Sequence, residues 1–318
     1  PSCHSLITMY ILTAILFAST VAAQALKGFN SGGYGPNGLK RAADFKKEFE
    51  RIHSLPGAPG FNTARLFTMI QGETDGEPVE AFQPAIETKT KLLLGMWASA
   101  GQDAFNKELG ALKKAISAHG KEWKDIVYAI CVGSEDLYRI TPTGIANKAG
   151  IGESPQKLVD YIKQTRDAIK GTPAEGTQIC HVDTWTAWVN GTNFPVIDAV
   201  DWIGFDGYPY YEKDTGINSI ENAHKLFQES FDKTVAVSKG KPVKITETGW
   251  PIQGPNDFGK SVASIENAKR YWHDVGCKIF GKHDTWWFTL DDTKKNPGEI
   301  SFSTVKPNLG DPLWDLKC

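Results

Sequence analysis

No stretch of this 318-residue chain is apolar for long enough to cross a bilayer. The longest apolar run starts at Met9 and takes in Ile11, Leu12, Ile15, Leu16, Phe17 and Val21. It amounts to roughly a dozen residues, where a span needs about 20. Neither sign of charge is in excess: 35 Lys and Arg are interspersed with 37 Asp and Glu, for a net charge of −2. That balance leaves no electrostatic footprint for nucleic acid or for an anionic membrane. The seven His are scattered without zinc-site spacing, no C-x-x-C occurs, and no G-x-S-x-G elbow is present. No metal and no other cofactor is expected. No Ser/Pro-rich linker, charge run or repeat divides the chain, so a single domain is expected.

The apolar run closes on Ala22-Ala23-Gln24-Ala25, small residues of the kind that end a secretory leader. The alternatives are a membrane anchor or a buried first helix. The expected division is therefore a leader over residues 1–23, with cleavage after Ala23 or else Ala25, and a single folded domain over residues 24–318. Cysteine is sparse, five in all, and the leader removes Cys3. Four remain, an even number that favours disulfides in an exported chain. Cys318 is expected to pair with Cys277, while Cys131 and Cys180 either bridge or stay buried thiols. Asn190-Gly191-Thr192 is the one glycosylation sequon, consistent with export. Cys318 follows no Ser/Thr-rich stalk or hydrophobic tail, so the expected location is extracellular, free or in a cell wall, and the expected state is a monomer.

Eight short apolar, β-prone runs recur along the chain: 26–29, 63–67, 92–97, 126–132, 178–182, 200–205, 243–246 and 285–290. Several are apolar almost continuously, as strands covered on both faces should be. Helical patterns lie between them. Ser154-Pro155 is an N-cap with Pro at the first helical position, leading into Leu158, Val159, Ile162 and Ile169. Ser219 is expected to cap the helix that carries Leu226, Phe227, Phe231 and Val235. Residues 104–119 and 264–280 read as two more helices. The second and fifth connections are too poorly patterned for full helices. Eight strands alternating with helices indicate a parallel (β/α)8 TIM barrel, with an open doubly wound sheet as the competitor.

Gly33-Tyr34-Gly35-Pro36-Asn37-Gly38 reads G-x-G-x-x-G after the first strand. A dinucleotide site would also need an acid at the end of the next strand, which here reads Thr63-Ala64-Arg65-Leu66-Phe67. Pro36 further removes an N–H that a phosphate cradle would use, so these glycines are expected to form a tight turn. In a barrel the chemistry sits at the carboxyl ends of strands. Strand four ends Cys131-Val132-Gly133-Ser134-Glu135, and strand seven ends Ile245-Thr246-Glu247. These strands stand across the ring from each other, so the two Glu can face one another over the mouth. Two carboxyls about 5–5.5 Å apart are what retaining glycoside hydrolysis requires. One must stay neutral to protonate the leaving oxygen, and the other must be ionised to attack the anomeric carbon.

Around these residues, Val132-Gly133-Ser134-Glu135-Asp136-Leu137-Tyr138-Arg139 and Thr246-Glu247-Thr248-Gly249-Trp250-Pro251 are sharp motifs. Val182-Asp183-Thr184-Trp185 and Asp206-Gly207-Tyr208-Pro209-Tyr210 support them. Together they resemble the family 17 glycoside hydrolases, specifically the fungal endo-β-1,3-glucanase and glucanosyltransferase branch, over most of residues 27–318. The resemblance implies Glu135 as general acid/base, Glu247 as nucleophile, β-glucan as substrate, and net retention of configuration. The wider clan usually carries Asn immediately before the acid/base, bonding the sugar 2-hydroxyl. Here Ser134 stands there, a shorter group offering fewer bonds.

Seven of the ten Trp lie in or just beyond the expected strands: Trp97, Trp185, Trp188, Trp202, Trp250, Trp286 and Trp287. Sugar rings pack on aromatic faces, so Trp185, Tyr208, Trp250 and Trp287 are expected cleft residues, with Trp202 in the core. Trp286 and Trp287 must point opposite ways. Arg65, at the end of strand two, is placed either to hold the nucleophile ionised by charge pairing or to form an ordinary structural ion pair. Asn30, Asp206 and Asp291 are candidates by strand-end position. Alternatives to the hydrolase are a wall-remodelling glucanosyltransferase using the same intermediate, and an inactive glucan-binding surface protein.

Overall fold

The computed structural model describes residues 24–255, 258–292, 296 and 298–318. The expected leader lies outside the described residues. Eight parallel strands close into a barrel: β1 (Lys27–Asn30), β2 (Thr63–Arg65), β3 (Lys91–Met96), β4 (Val127–Ser134), β5 (Gln178–Thr184), β6 (Trp202–Asp206), β7 (Val243–Glu247) and β8 (Thr285–Trp287). Closure is made by β1, which pairs with β2 from Gly28–Thr63 to Asn30–Arg65 and with β8 from Lys27–Thr285 to Phe29–Trp287. The open-sheet alternative is thereby excluded. The glycine-rich segment forms a two-stranded hairpin, Tyr34–Gly35 against Gly38–Leu39, as a tight turn should.

Between the strands run α1 (Ala42–His53), α2 (Phe82–Thr88), α3 (Gly101–His119), α4 (Pro155–Ile169), α5 (Phe194–Ala199), α6 (Ala223–Val237) and α7 (Ile265–Tyr271). Ser154 caps α4 by accepting from the Lys157 amide, and Ser264 caps α7 by accepting from the Asn267 amide. Ser219 does not cap α6; a 3-10 turn, Ile220–Asn222, intervenes and takes up the entry. The long expected helix at 264–280 is α7 continued by a wider π-helical turn, Trp272–Gly276, and a last turn, Cys277–Ile279. The second connection contains only the short α2. The fifth contains a four-residue turn, Trp185–Trp188, and the short α5. Among the described residues no helix follows β8. The terminal segment instead packs between α1 and the end of α7: the Gly310 carbonyl accepts from Arg51 and the Leu316 carbonyl from the Trp272 indole.

Alternation along the strands divides the core in two. Leu93, Ala129, Cys131, Cys180, Val182, Trp202 and Trp286 fill the barrel interior. Their neighbours, such as Leu92, Leu94, Ile130, Ile203 and Ile245, face the helices. Each fully buried aliphatic side chain of this kind contributes roughly 1.5–3 kcal/mol. Cys131 and Cys180 are register partners on β4 and β5 and are bonded inside the barrel, while Cys277 and Cys318 tie α7's last turn to the terminal segment. The barrel interior below the carboxyl-end mouth is thus filled by side chains.

Candidate active site

Both glutamates stand at strand ends where the ladder is irregular. The β4–β5 register shifts between Cys131 and Ser134, just before Glu135, and the β6–β7 register shifts opposite Thr246, just before Glu247. Such an extra residue re-aims the side chain that follows it. At Glu135 the backbone turns left-handed, with φ 57°, and its amide donates to the Val182 carbonyl. Gly133, at φ +81°, precedes it. The turn runs directly into a short helix, Asp136–Arg139.

Arg65 reaches inward from β2 and is 2% exposed. Its guanidinium donates to Glu247 Oε1 at 2.5 Å, to Asn30 Oδ1 at 2.7 Å and to Ser134 Oγ at 3.0 Å. The Tyr208 hydroxyl donates to the other oxygen, Glu247 Oε2, at 2.7 Å. The Glu247 carboxylate is therefore oriented from both sides and its charge is compensated. Although burial opposes it, the Glu247 and Asp206 carboxyls hold the Arg65 pKa above its ordinary value. Burial and the neighbouring Glu247 charge push the Tyr208 phenol well up, so it remains a donor.

Glu135 has a different environment. A quarter of its side-chain surface is exposed, and its nearest cation, Arg139, stands 3.9 Å away. Burial, then the charges of Glu247 and Asp183, push its pKa up to about 8 against the opposing pull of Arg139 and Arg65. The site thus holds one carboxyl clamped by two donors and another that keeps its proton near neutrality. A pair with that division of states can donate a proton to one atom while attacking another.

Ser134 is tied to Arg65, and Arg139 donates to the Ser134 carbonyl at 2.5 Å. Trp185 is half-buried at the start of its short helix. Its indole donates to Glu212 at 2.6 Å, and Lys233 sits 4.3 Å from its ring centre. Four other expected contact residues are placed elsewhere. Asn30 is 1% exposed and lies under Arg65, donating to the Thr246 and Trp286 carbonyls. Asp206 is 2% exposed and accepts from Thr246 Oγ1 beneath the mouth, where burial and Glu247 raise its pKa well above the usual carboxylate range. Trp250, also 2% exposed, packs on Tyr210 and Tyr271 and donates to the Val262 carbonyl. Trp287 points outward onto Trp272 and Phe280, and Trp286 points inward, donating to Thr63. The strand end marks a residue's height along the barrel, but a bulge or a following turn decides whether its side chain reaches the mouth. Asp291, after β8, accepts from the Leu309 amide.

Sequence reasoning passed over Trp97, which is 39% exposed beyond β3 with the Arg139 guanidinium 5.3 Å from its ring centre. Its position one residue past a strand was the available signal. Arg139 closes the strand-four motif, where its sequence position alone signals no role. His181, behind Glu135, gave no signal, because a single His inside an apolar strand is indistinguishable from core. The Asn190 side chain is exposed at the head of a 3-10 turn, accepting from the Thr192 amide.

A closed (β/α)8 barrel with two glutamates, an arginine and a tyrosine converging at its mouth has the form of the barrel glycoside hydrolases, and comparison with known proteins agrees. The BtgE/BtgC glycoside hydrolase domain matches residues 28–304, and the chain belongs to that family. It is 49% identical over 309 residues to a probable glucan endo-1,3-beta-glucosidase of Aspergillus fumigatus, covering 96% of this chain and 68% of that one. A namesake from Aspergillus oryzae is 48% identical over 98% of this chain and 67% of its own. Among solved structures it is similar to the glycoside hydrolase family 17 beta-1,3-glucanosyltransferase of Rhizomucor miehei. That match has a TM-score of 0.72 and 28% identity, over 90% of this chain and 95% of that one.

Proposed function

We propose that this glycoside hydrolase cleaves β-1,3-glucan with retention, Glu247 acting as nucleophile and Glu135 as general acid/base. The observation that carries the reading is the unequal treatment of the two carboxyls: Glu247 is held by Arg65 and Tyr208, while Glu135 is pushed up to about 8. In the first step a Glu247 oxygen bonds to the anomeric carbon as the glycosidic C–O bond breaks. Glu135 transfers its proton to the departing oxygen. In the second step the Glu135 carboxylate takes a proton from water as that water attacks the anomeric carbon and releases Glu247. The substrate class is supported by the A. fumigatus relative, named a glucan endo-1,3-beta-glucosidase, and by a laminaritriose complex of the R. miehei enzyme, 27% identical.

A second reading keeps both roles and replaces water by a glucan hydroxyl, giving a transglycosylase. The R. miehei beta-1,3-glucanosyltransferase favours it. On this reading either activity acts outside the cell, on wall glucan, and the protein works as a monomer after removal of residues 1–23 as a leader. The two disulfides and the exposed Asn190 sequon support that compartment.

Product analysis from laminari-oligosaccharides tests both readings. Shorter products only, lost in Glu135→Gln and Glu247→Gln, support hydrolysis. Products longer than the starting oligosaccharide, lost in the same variants, support transfer. Full activity in either variant would overturn the assignment.

A further inference from the structure

The outward face of β5 carries a charged cluster that the mechanism above does not use. Cys180 and Val182 point into the barrel, so His181 and Asp183 point towards the helices, and both are fully buried. The His181 ring is boxed edge-on by Trp188. Its Nδ1 lies 2.7 Å from the Val132 carbonyl oxygen, and its Nε2 lies 3.1 Å from Asp183 Oδ2. Both partners are acceptors, and a neutral imidazole has only one N–H to give. Asp183 is itself an acceptor twice more, from the Thr184 amide at 2.8 Å and the Leu137 amide at 2.9 Å. A ring that donates from both nitrogens satisfies both of the acceptors it touches.

A second acid faces the same ring. Asp136 is fully buried and accepts from Ser99 Oγ, while its Oδ2 has no hydrogen-bond partner. A Cβ at Gly133 would fall 2.2 Å from that oxygen and 3.0 Å from the His181 ring, so both crowd over this glycine. Asp183 on the same strand and Asp136 on the short helix are the acids whose charges bear on His181; Arg139 in turn bears on Asp136, and Asp183 and Arg139 on Glu135. Burial by itself lowers the His181 pKa, but the Asp183 and Asp136 carboxyls and the Val132 carbonyl hold it above the ordinary value.

The two points the ring reaches lie on either side of Glu135. Val132 is three residues before it, and Leu137, held through Asp183, is two residues after. Between them the chain takes left-handed conformations at Gly133 and Glu135. A non-glycine residue in that region costs of order 1–3 kcal/mol and persists only where surrounding contacts impose it. We propose that His181 is a positioning residue, a buried imidazolium that clamps the 132–137 turn and so fixes the direction in which Glu135 presents its carboxyl. The proposal rests on the reading of Glu135 as acid/base and adds what holds it in place.

A substrate pair separates this role from general support. A 2,4-dinitrophenyl β-laminaribioside has a leaving group that departs without a proton, whereas laminari-oligosaccharides need one from Glu135. In His181→Gln, kcat on the oligosaccharide is expected to fall on the order of 10²-fold, the low end of general-acid contributions. The glycosylation burst on the aryl substrate should fall less than about tenfold, since that step needs no proton transfer. Azide, which attacks the anomeric carbon without a base, should restore turnover of the aryl substrate as a glycosyl azide. Equal losses on both substrates, or no loss on either, would overturn the proposal. Wild type inert on both substrates would instead overturn the reading of Glu135 on which it rests. Should the variant fail to fold, ¹⁵N NMR of the histidine-labelled wild type at neutral pH decides. Two protonated ring nitrogens at His181 support the clamp, and one bare nitrogen rejects it.

Discussion

Arg65 shows how much of a site can hang on one side chain. Its guanidinium bonds a carboxylate, an amide and a hydroxyl from three different strands, so it couples Glu247 to the turn that bears Glu135. Lysine would keep the charge but replace the planar fork by a single point donor. Arg65→Lys is expected to lose the bonds to Asn30 and Ser134. If the loss felt at the transition state amounts to one such bond to a charged group, about 1.5–3 kcal/mol, kcat/KM should fall roughly ten- to a hundredfold. Steady-state kinetics on laminari-oligosaccharides would show it, and an unchanged kcat/KM would mean that the charge alone suffices. At this scale Glu135, Glu247 and Arg65 were legible because their strand ends carry charged residues after small or apolar ones. Asn30 and Asp206 looked equivalent in sequence, yet they sit a layer lower, where they support the mouth without lining it.

At the level of elements, the two disulfides do different work. Cys131–Cys180 joins adjacent strands inside the barrel, whereas Cys277–Cys318 fastens the terminal segment across the gap where no helix follows β8 among the described residues. That segment is otherwise held through contacts such as the Trp272–Leu316 bond. Replacing Cys277 and Cys318 together by Ser is expected to cost about 2–4 kcal/mol of stability. It should leave kcat on oligosaccharides unchanged, because neither residue touches the mouth. Denaturant melts alongside kinetics would test this, and a loss of activity at low denaturant would tie the segment to the site. The strand runs were readable from near-continuous apolar character. The bulges before Glu135 and Glu247 were not, since a register shift depends on the partner strand and leaves no mark in the run itself.

For the whole molecule, the testable property is the coupling of the two carboxyls across the barrel mouth. On the proposed mechanism the first step needs Glu135 protonated; its pKa is raised to about 8, so kcat/KM should fall as pH rises through about 8. Burial is the largest cause and Glu247's charge the second. On the proposed mechanism, esterifying Glu247 removes that charge and lowers the Glu135 pKa, in the direction of the carboxylate that the second step needs. Glu247→Gln imitates the loss of charge. The Glu135 titration, followed by ¹³C NMR of labelled glutamate, should then move below the wild-type position. A titration that stays in place would show that the two groups act independently.

Local chemistry determined the elements of this protein: apolar runs too short for helices became strands, capped stripes became helices, and motif residues marked the strand ends that matter. None of that required knowledge of what lies across the barrel. Side-chain depth did require it. Closing eight strands into a ring places Trp286 inside and Trp287 outside, buries Trp250 behind the mouth, and joins Cys131 to Cys180. The same closure brings Arg65 to Glu247 across 182 residues of chain and sets His181 behind the turn that carries Glu135. Such pairings depend on distances that exist only once the ring is closed, so only the tertiary structure could decide them.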